Sequence, residues 1–161
     1  MAAGESSGAG IELFRGLSAS QIAPFRPLGR PVRLSRGSSL FQLGDDALTL
    51  YIVRSGRIAF TMPIDVQGTP QDALVDEKGP GSVVGWSALA PPHRYTLSAH
   101  ALEDSELTSF LGTELRAQIV LDPAAGIVVL LNLVELLGHR AQQTQAMWLR
   151  ELQRTLDTRL G

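Results

Sequence analysis

Residues 79–96 read G-P-G-S-V-V-G-W-S-A-L-A-P-P-H-R-Y-T and encode a tight turn, a short apolar strand, one helical turn and a proline bend. The opening turn is expected because glycine accepts positive φ and proline pre-sets φ. Residues 86–89 fit a single helical turn that two prolines end, and the free N–H groups of such a turn attract anions. Arg94 follows the bend, so its guanidinium is expected to face the same anion. The stretch therefore predicts one anion-binding pocket.

These residues resemble the phosphate-binding cassette of the cyclic-nucleotide-binding domain superfamily, which includes catabolite activator proteins and kinase regulatory subunits. In that cassette, backbone N–H groups and an arginine hold the cyclic phosphate, and a glutamate binds the ribose hydroxyl. The sequence departs from the pattern at Trp86, which replaces the glutamate, and at Tyr95, where the family prefers a small residue. The positions that match are Gly85, Ala88, Leu89, Arg94 and Thr96.

The resemblance implies a small phosphate-bearing ligand, such as cyclic AMP or cyclic GMP, and no cofactor or metal. Because indole cannot accept a hydrogen bond from a hydroxyl, the ligand is expected to keep an anionic group without needing a free ribose hydroxyl. The cassette residues expected to contact the ligand are Gly85, Trp86, Ser87, Ala88, Arg94, Tyr95 and Thr96.

The chain around the cassette predicts an all-β roll, because short apolar segments alternate with turn residues between positions 32 and 110. Residues 36–58, R-G-S-S-L-F-Q-L-G-D-D-A-L-T-L-Y-I-V-R-S-G-R-I, resemble the early strands of the same superfamily. Ser55 and Gly56 indicate a two-residue hairpin. Residues 64–71 are interpreted as the long variable hairpin tip before the cassette and are expected to be a plain exposed loop. The predicted fold is an eight-stranded jelly roll with strands at 32–34, 39–41, 48–54, 57–62, 73–76, 82–84, 95–101 and 106–111.

Helices are predicted on both sides of the roll. Residues 11–28 contain loosely spaced apolar positions and indicate two short helical turns, with Ser18 and Ser20 as candidate caps. Thr113 is a candidate cap for a short helix, and Asp122 followed by proline starts a long one. The predicted organisation is a disordered tail at 1–10, a cyclic-nucleotide-binding-like domain at 11–121 and a long C-terminal helix at 122–160.

The long helix carries apolar positions at alternating steps of three and four, which predicts a seam that pairs with a second copy of the chain. In the family the corresponding helix pairs across a two-fold axis and covers the base of the nucleotide. The resemblance places Thr144 and Gln145 near those base contacts, and packing in the seam alone accounts for both residues equally well. The seam residues are Leu130, Val134, Leu137, Ala141, Thr144, Trp148 and Leu152.

Composition excludes several classes of function. A net charge of −2 argues against general binding of nucleic acid, and the absence of cysteine removes thiolate metal sites and cysteine nucleophiles. The three histidines are too scattered for a paired metal site, and residues 85–88 lack the second glycine of a nucleophile elbow. The apolar run 124–134 is too short to cross a bilayer. These features predict a soluble, cytoplasmic protein that is not an enzyme.

The function predicted is a sensory domain that binds a small phosphate-bearing ligand and relays occupancy through a dimerising helix. The alternative is a ligand-independent scaffold or interaction module whose pocket has decayed, filled by Trp86 itself. Transcription regulators of the superfamily carry a winged helix-turn-helix after the long helix, whereas this sequence stops at Gly161. The expectation is therefore a stand-alone module that acts on an effector protein the sequence does not identify.

Overall fold

The computed structural model describes residues 10–160, so the predicted tail lies outside the described residues except for Gly10. Within residues 10–160 the chain forms eight strands and three α-helices, together with short 3-10 turns. The strands are β1 (Arg30–Leu34), β2 (Ser39–Phe41), β3 (Thr49–Ser55), β4 (Ile58–Val66), β5 (Thr69–Lys78), β6 (Val83–Val84), β7 (Ser98–Ala101) and β8 (Ser105–Leu111). The helices are α1 (Ala19–Ile22), α2 (Gly112–Leu121) and α3 (Pro123–Leu160).

The strands build two four-stranded sheets with the orders β1-β8-β3-β6 and β2-β7-β4-β5, and all neighbours are antiparallel. This is the predicted jelly roll, and each predicted segment overlaps one observed strand. Alternating apolar residues of both sheets face each other, as a half-buried sheet requires. The apolar core between the sheets includes Phe41, Val53, Ile58, Phe60 and Leu107.

The outer face of the first sheet is covered by the flanking helices. Phe14 and Phe25 from the N-terminal turns pack with Leu50, Leu115 and Val129 in a second apolar cluster. Burial of side chains of this size stabilises the fold by about 1.5 to 3 kcal/mol each. The cluster therefore joins the N-terminal turns, α2 and the start of α3 to the roll.

The helix starts are correct in two of three cases. Ser18 caps α1 in a capping box with Gln21, and Asp122 Oδ1 accepts a hydrogen bond from the Ala125 N–H at the start of α3. Thr113 does not cap α2, because the helix begins one residue earlier and Leu111 occupies the capping position. Gly112 fits there because a side chain would collide with the Ala88 carbonyl oxygen.

Residues 64–71 are the exposed tip of the long β4–β5 hairpin, as predicted, but the loop itself is shorter than expected. Asp65 pairs with Pro70, and only residues 67–68 lie outside the strands. Ser55 and Gly56 do not form a hairpin, because β3 and β4 belong to different sheets. The short connection instead carries the chain from one sheet to the other.

The apolar part of α3 is longer than the run read from the sequence. Gly126 and Asn132 do not interrupt the helix, which continues for 38 residues. By length and composition it could cross a membrane, with a mean hydropathy of 1.4 in its most apolar window, although core helices of soluble proteins meet the same criterion. The length of the apolar run therefore does not exclude a membrane span, contrary to the sequence-based expectation.

Candidate functional site

The predicted anion-binding turn is present as a single 3-10 turn at Trp86–Ala88. Gly85 precedes it with φ of 78°, a left-handed conformation that favours glycine, and an added Cβ would lie 3.0 Å from the Thr49 carbonyl oxygen. The Ala88 N–H donates to the Gly85 carbonyl and the Leu89 N–H to the Trp86 carbonyl. These two N–H groups are thus satisfied within the turn and are not available to a ligand.

Aromatic rings close the space beside this turn. Tyr95 stacks on Phe41 with ring centroids 3.7 Å apart, and its hydroxyl donates to the Thr49 carbonyl at 2.7 Å. The cavity that remains has about 10 Å³, barely enough for one water molecule. The predicted contacts Gly85, Trp86, Ser87, Tyr95 and Thr96 all border it, together with Phe41, Phe60, Leu97 and Arg140.

Two predicted contact residues are directed elsewhere. The Arg94 guanidinium donates to the Gly44 carbonyl at 2.8 Å and lies 3.3 Å from an Asp46 carboxylate oxygen, and Arg94 lines neither the small cavity nor the groove between the roll and α3. Ala88 is buried against α2, where its carbonyl accepts a hydrogen bond from Arg116. The expectation that Arg94 and the turn share one anion is therefore not met by the geometry.

A larger groove lies between the roll and α3. It has about 660 Å³, within the range of about 300 to 1,000 Å³ that is typical of ligand pockets. The groove brings Trp86 and Thr96 of the cassette together with Thr144 and Gln145 of α3. Four of the predicted contacts, which are far apart in sequence, thus meet at one cavity.

Arg140 lines this region as well, although the sequence analysis did not predict it as a contact. Its guanidinium lies over the Phe60 ring, 4.6 Å from the centroid, and it borders both the groove and the small cavity. Burial lowers the pKa of Arg140, and the nearby Asp76 carboxylate partly offsets this effect. Helical spacing could have identified Arg140, because it lies one turn before Thr144 on the same face of α3.

The fold and the site can now be compared with known protein families. The family model of the cyclic nucleotide-binding domain matches residues 31–120, more than half of the chain. The chain belongs to the cyclic nucleotide-binding domain family. The resemblance drawn from residues 36–58 and 79–96 is thereby confirmed. No curated protein matches this chain.

Solved structures of cyclic nucleotide-binding proteins share the fold. The catabolite activator protein of Thermus thermophilus has a TM-score of 0.72 at 26% identity, covering 85% of this chain and 61% of that one. A cyclic nucleotide-binding domain from Methylobacillus flagellatus has a TM-score of 0.76 at 18% identity, covering 91% and 87%. The global regulator CLP of Xanthomonas campestris, described as responsive to c-di-GMP, has 0.68 at 23% identity, covering 80% and 62%. This chain thus spans less than two thirds of the activator and of CLP.

Proposed function

We propose that this domain is a sensor that binds a small phosphate-bearing ligand in the groove between the roll and α3. The observation that carries the proposal is the convergence of Trp86, Thr96, Thr144 and Gln145 on a cavity of about 660 Å³. Family membership supports a nucleotide as the ligand class. The regulator CLP, described as responsive to c-di-GMP, supports including cyclic dinucleotides with cyclic AMP and cyclic GMP.

Occupancy of the groove is relayed by α3 in this proposal. Leu137, Ala141 and Thr144 border the groove and also belong to the apolar seam predicted to pair with a second copy. A ligand and a partner helix would therefore contact neighbouring positions of the same helix. If α3 can adopt two positions relative to the roll, a ligand shifts the equilibrium between them only by the difference in its affinity for the two.

A second candidate is a ligand-independent interaction module. It is favoured by the stacked Tyr95 and Phe41 rings, which leave about 10 Å³ beside the cassette turn. Trp86 gives this candidate weaker support. Trp86 packs against the second apolar cluster, but it also borders the groove, which remains open. Under this candidate α3 pairs without any small molecule.

Titration calorimetry with cyclic AMP, cyclic GMP and c-di-GMP separates the two candidates. We expect saturable binding of at least one of the three to the wild type. Thr144→Trp fills the groove and should weaken that binding about tenfold or more, which corresponds to about 1.4 kcal/mol. Thr158→Trp is the matched control, because Thr158 also donates to a carbonyl one turn earlier but does not border the groove.

The contrary results are equally specific. Absence of heat with all three nucleotides at millimolar concentration would favour the interaction module. Equal binding by the wild type and Thr144→Trp would place the ligand outside the groove.

A further inference from the structure

The Arg140 guanidinium is the charged group in the groove whose hydrogen-bonding capacity is least used. Nη2 is fully buried and finds no hydrogen-bond acceptor among residues 10–160. A guanidinium carries five N–H donors, and each buried donor without an acceptor is costly. The cation–π contact with Phe60 compensates the charge but supplies no acceptor.

The acidic groups near Arg140 have other partners. Asp76 Oδ2 lies 3.0 Å from the Lys78 ammonium and forms an ion pair with it. The contact does not have hydrogen-bond geometry. Asp76 Oδ1 accepts from the Glu77 N–H, and Glu12 Oε2 accepts from the Val83 N–H at 3.3 Å. No ion pair within the described part of the chain includes Arg140.

We infer that Arg140, and not Arg94, binds the phosphate of the ligand. Arg140 lines the groove from α3, its Nη2 has no acceptor within residues 10–160, and a planar guanidinium suits two oxygens of one phosphate. Arg94 is already hydrogen-bonded to Gly44 and paired with Asp46, and it lines neither the groove nor the small cavity. This inference rests on the proposed groove and names the residue that recognises the anion.

The position of Arg140 also links the anion to the helix. The residues of α3 before it include the buried Val129 and Leu133, whereas residues 141–145 are all exposed. Arg140 is therefore near the point where α3 leaves the roll. A phosphate held there would fix the direction in which the exposed half of α3 continues.

Inorganic phosphate is the first probe, and Trp86 is the reporter because it borders the same cavities as Arg140. The chain has two tryptophans, so Trp148→Phe leaves Trp86 as the only indole. In that background, replacing chloride by phosphate at constant ionic strength should change the emission saturably. Arg140→Met, which keeps the apolar stem over Phe60, should weaken the response about tenfold or more. Arg94→Met is the control and should respond like its parent.

Arg140→Lys keeps the charge without the planar fork and should give an intermediate response if Arg140→Met does not fold. The wild type supplies a further readout, since phosphate should slow the modification of Arg140 by phenylglyoxal without protecting Arg94. Lack of a saturable signal in the parent, an unchanged response in both Arg140 variants, or protection of Arg94 instead would overturn the inference.

Cyclic AMP, cyclic GMP and c-di-GMP then separate the two proposals. Phosphate binding that depends on Arg140, without binding of any of the three nucleotides, would reject the proposed sensor and keep the anion site. Nucleotide binding that Arg140→Met leaves unchanged would keep the sensor and reject Arg140 as its phosphate contact. A loss of nucleotide affinity of about tenfold or more in Arg140→Met supports both.

Discussion

Tyr95 is the residue that most changes the cassette. The family prefers a small side chain at this position, whereas here a whole phenol is 6% exposed and stacks on Phe41 at an interplanar angle of 7°. Its ring lies so close to Gly85 that an added Cβ there would sit 3.1 Å from it. Tyr95 is therefore a core residue that closes the space beside the cassette turn.

Tyr95→Phe tests this role through the pH dependence of stability. Removing the hydroxyl leaves the Thr49 carbonyl without this donor and should lower the free energy of unfolding by about 0.5 to 1.5 kcal/mol at neutral pH. Burial raises the pKa of Tyr95 to about 12, above the value of about 10 for an unfolded tyrosine. The folded state thus favours the neutral phenol, and this stabilisation is complete below about pH 10 and is lost as the pH rises towards 12.

Urea denaturation at a series of pH values measures the effect. The wild type should lose stability steeply from about pH 10 to 12, and Tyr95→Phe less steeply. Some slope should remain because burial also raises the pKa of Tyr51. Equal slopes in the two proteins would mean that the Tyr95 hydroxyl is solvated in the folded state.

At the scale of elements, α3 consists of two different halves. The first half packs against the roll with one face, where Asn132 donates to the carbonyls of Leu13 and Arg15 at 2.9 Å each. The second half leaves large apolar side chains in water, with Trp148 67% exposed. An exposed apolar stripe of this length is typical of a surface that pairs. Other large apolar residues that are exposed in the described part of this half include Met147, Leu149, Leu152 and Leu156.

Trp148→Glu should convert a dimer into monomers. We expect the wild type to dimerise through α3, because pairing would remove the apolar stripe from water, and a carboxylate in that interface would be buried without a partner. Light scattering at micromolar concentration measures the mass. Gln153→Glu adds the same charge to an exposed position outside the seam and should leave the dimer intact. A monomeric wild type, or a dimeric Trp148→Glu variant, would show that the seam does not pair.

At the scale of the whole molecule, the question is whether α3 belongs to the roll or to a membrane. Its first half cannot leave the roll without exposing the apolar surface of Ala125, Val129 and Leu133, all of which are buried. It would also abandon the two hydrogen bonds of Asn132, and a buried carbonyl without a donor is unfavourable. The fold thus holds one face of this apolar segment in its own core, whereas Ile127, Leu131 and Val134 on its other faces are exposed.

Flotation with phosphatidylcholine vesicles tests this assignment. The protein should remain in the dense fraction, because insertion of α3 would cost the packing that holds the roll together. Trp148→Glu controls for the exposed half of the helix, since it places a charge there and leaves the buried residues of the first half unchanged. Recovery of both proteins with the vesicles would indicate that α3 enters the bilayer.

Local chemistry accounts for what was predictable in the fold. Alternating apolar residues specify the strands, and a proline after Asp122 starts α3, because these features depend only on neighbouring residues. The loop predicted at 64–71 is shorter in the structure because Pro70 lies in β5, an edge strand whose outer side needs no backbone donor. Edge position is a property of the sheet and cannot be read from the proline itself.

The site was predictable only in part for the same reason. The amino-acid sequence by itself determined the family, the jelly roll, the cassette turn and the face of α3 that carries Thr144. Tertiary structure alone decided that Arg94 turns towards Asp46 and that Arg140 arrives over Phe60. These contacts join residues 48 and 80 positions apart, and the direction of a long charged side chain depends on which partners folding brings within reach.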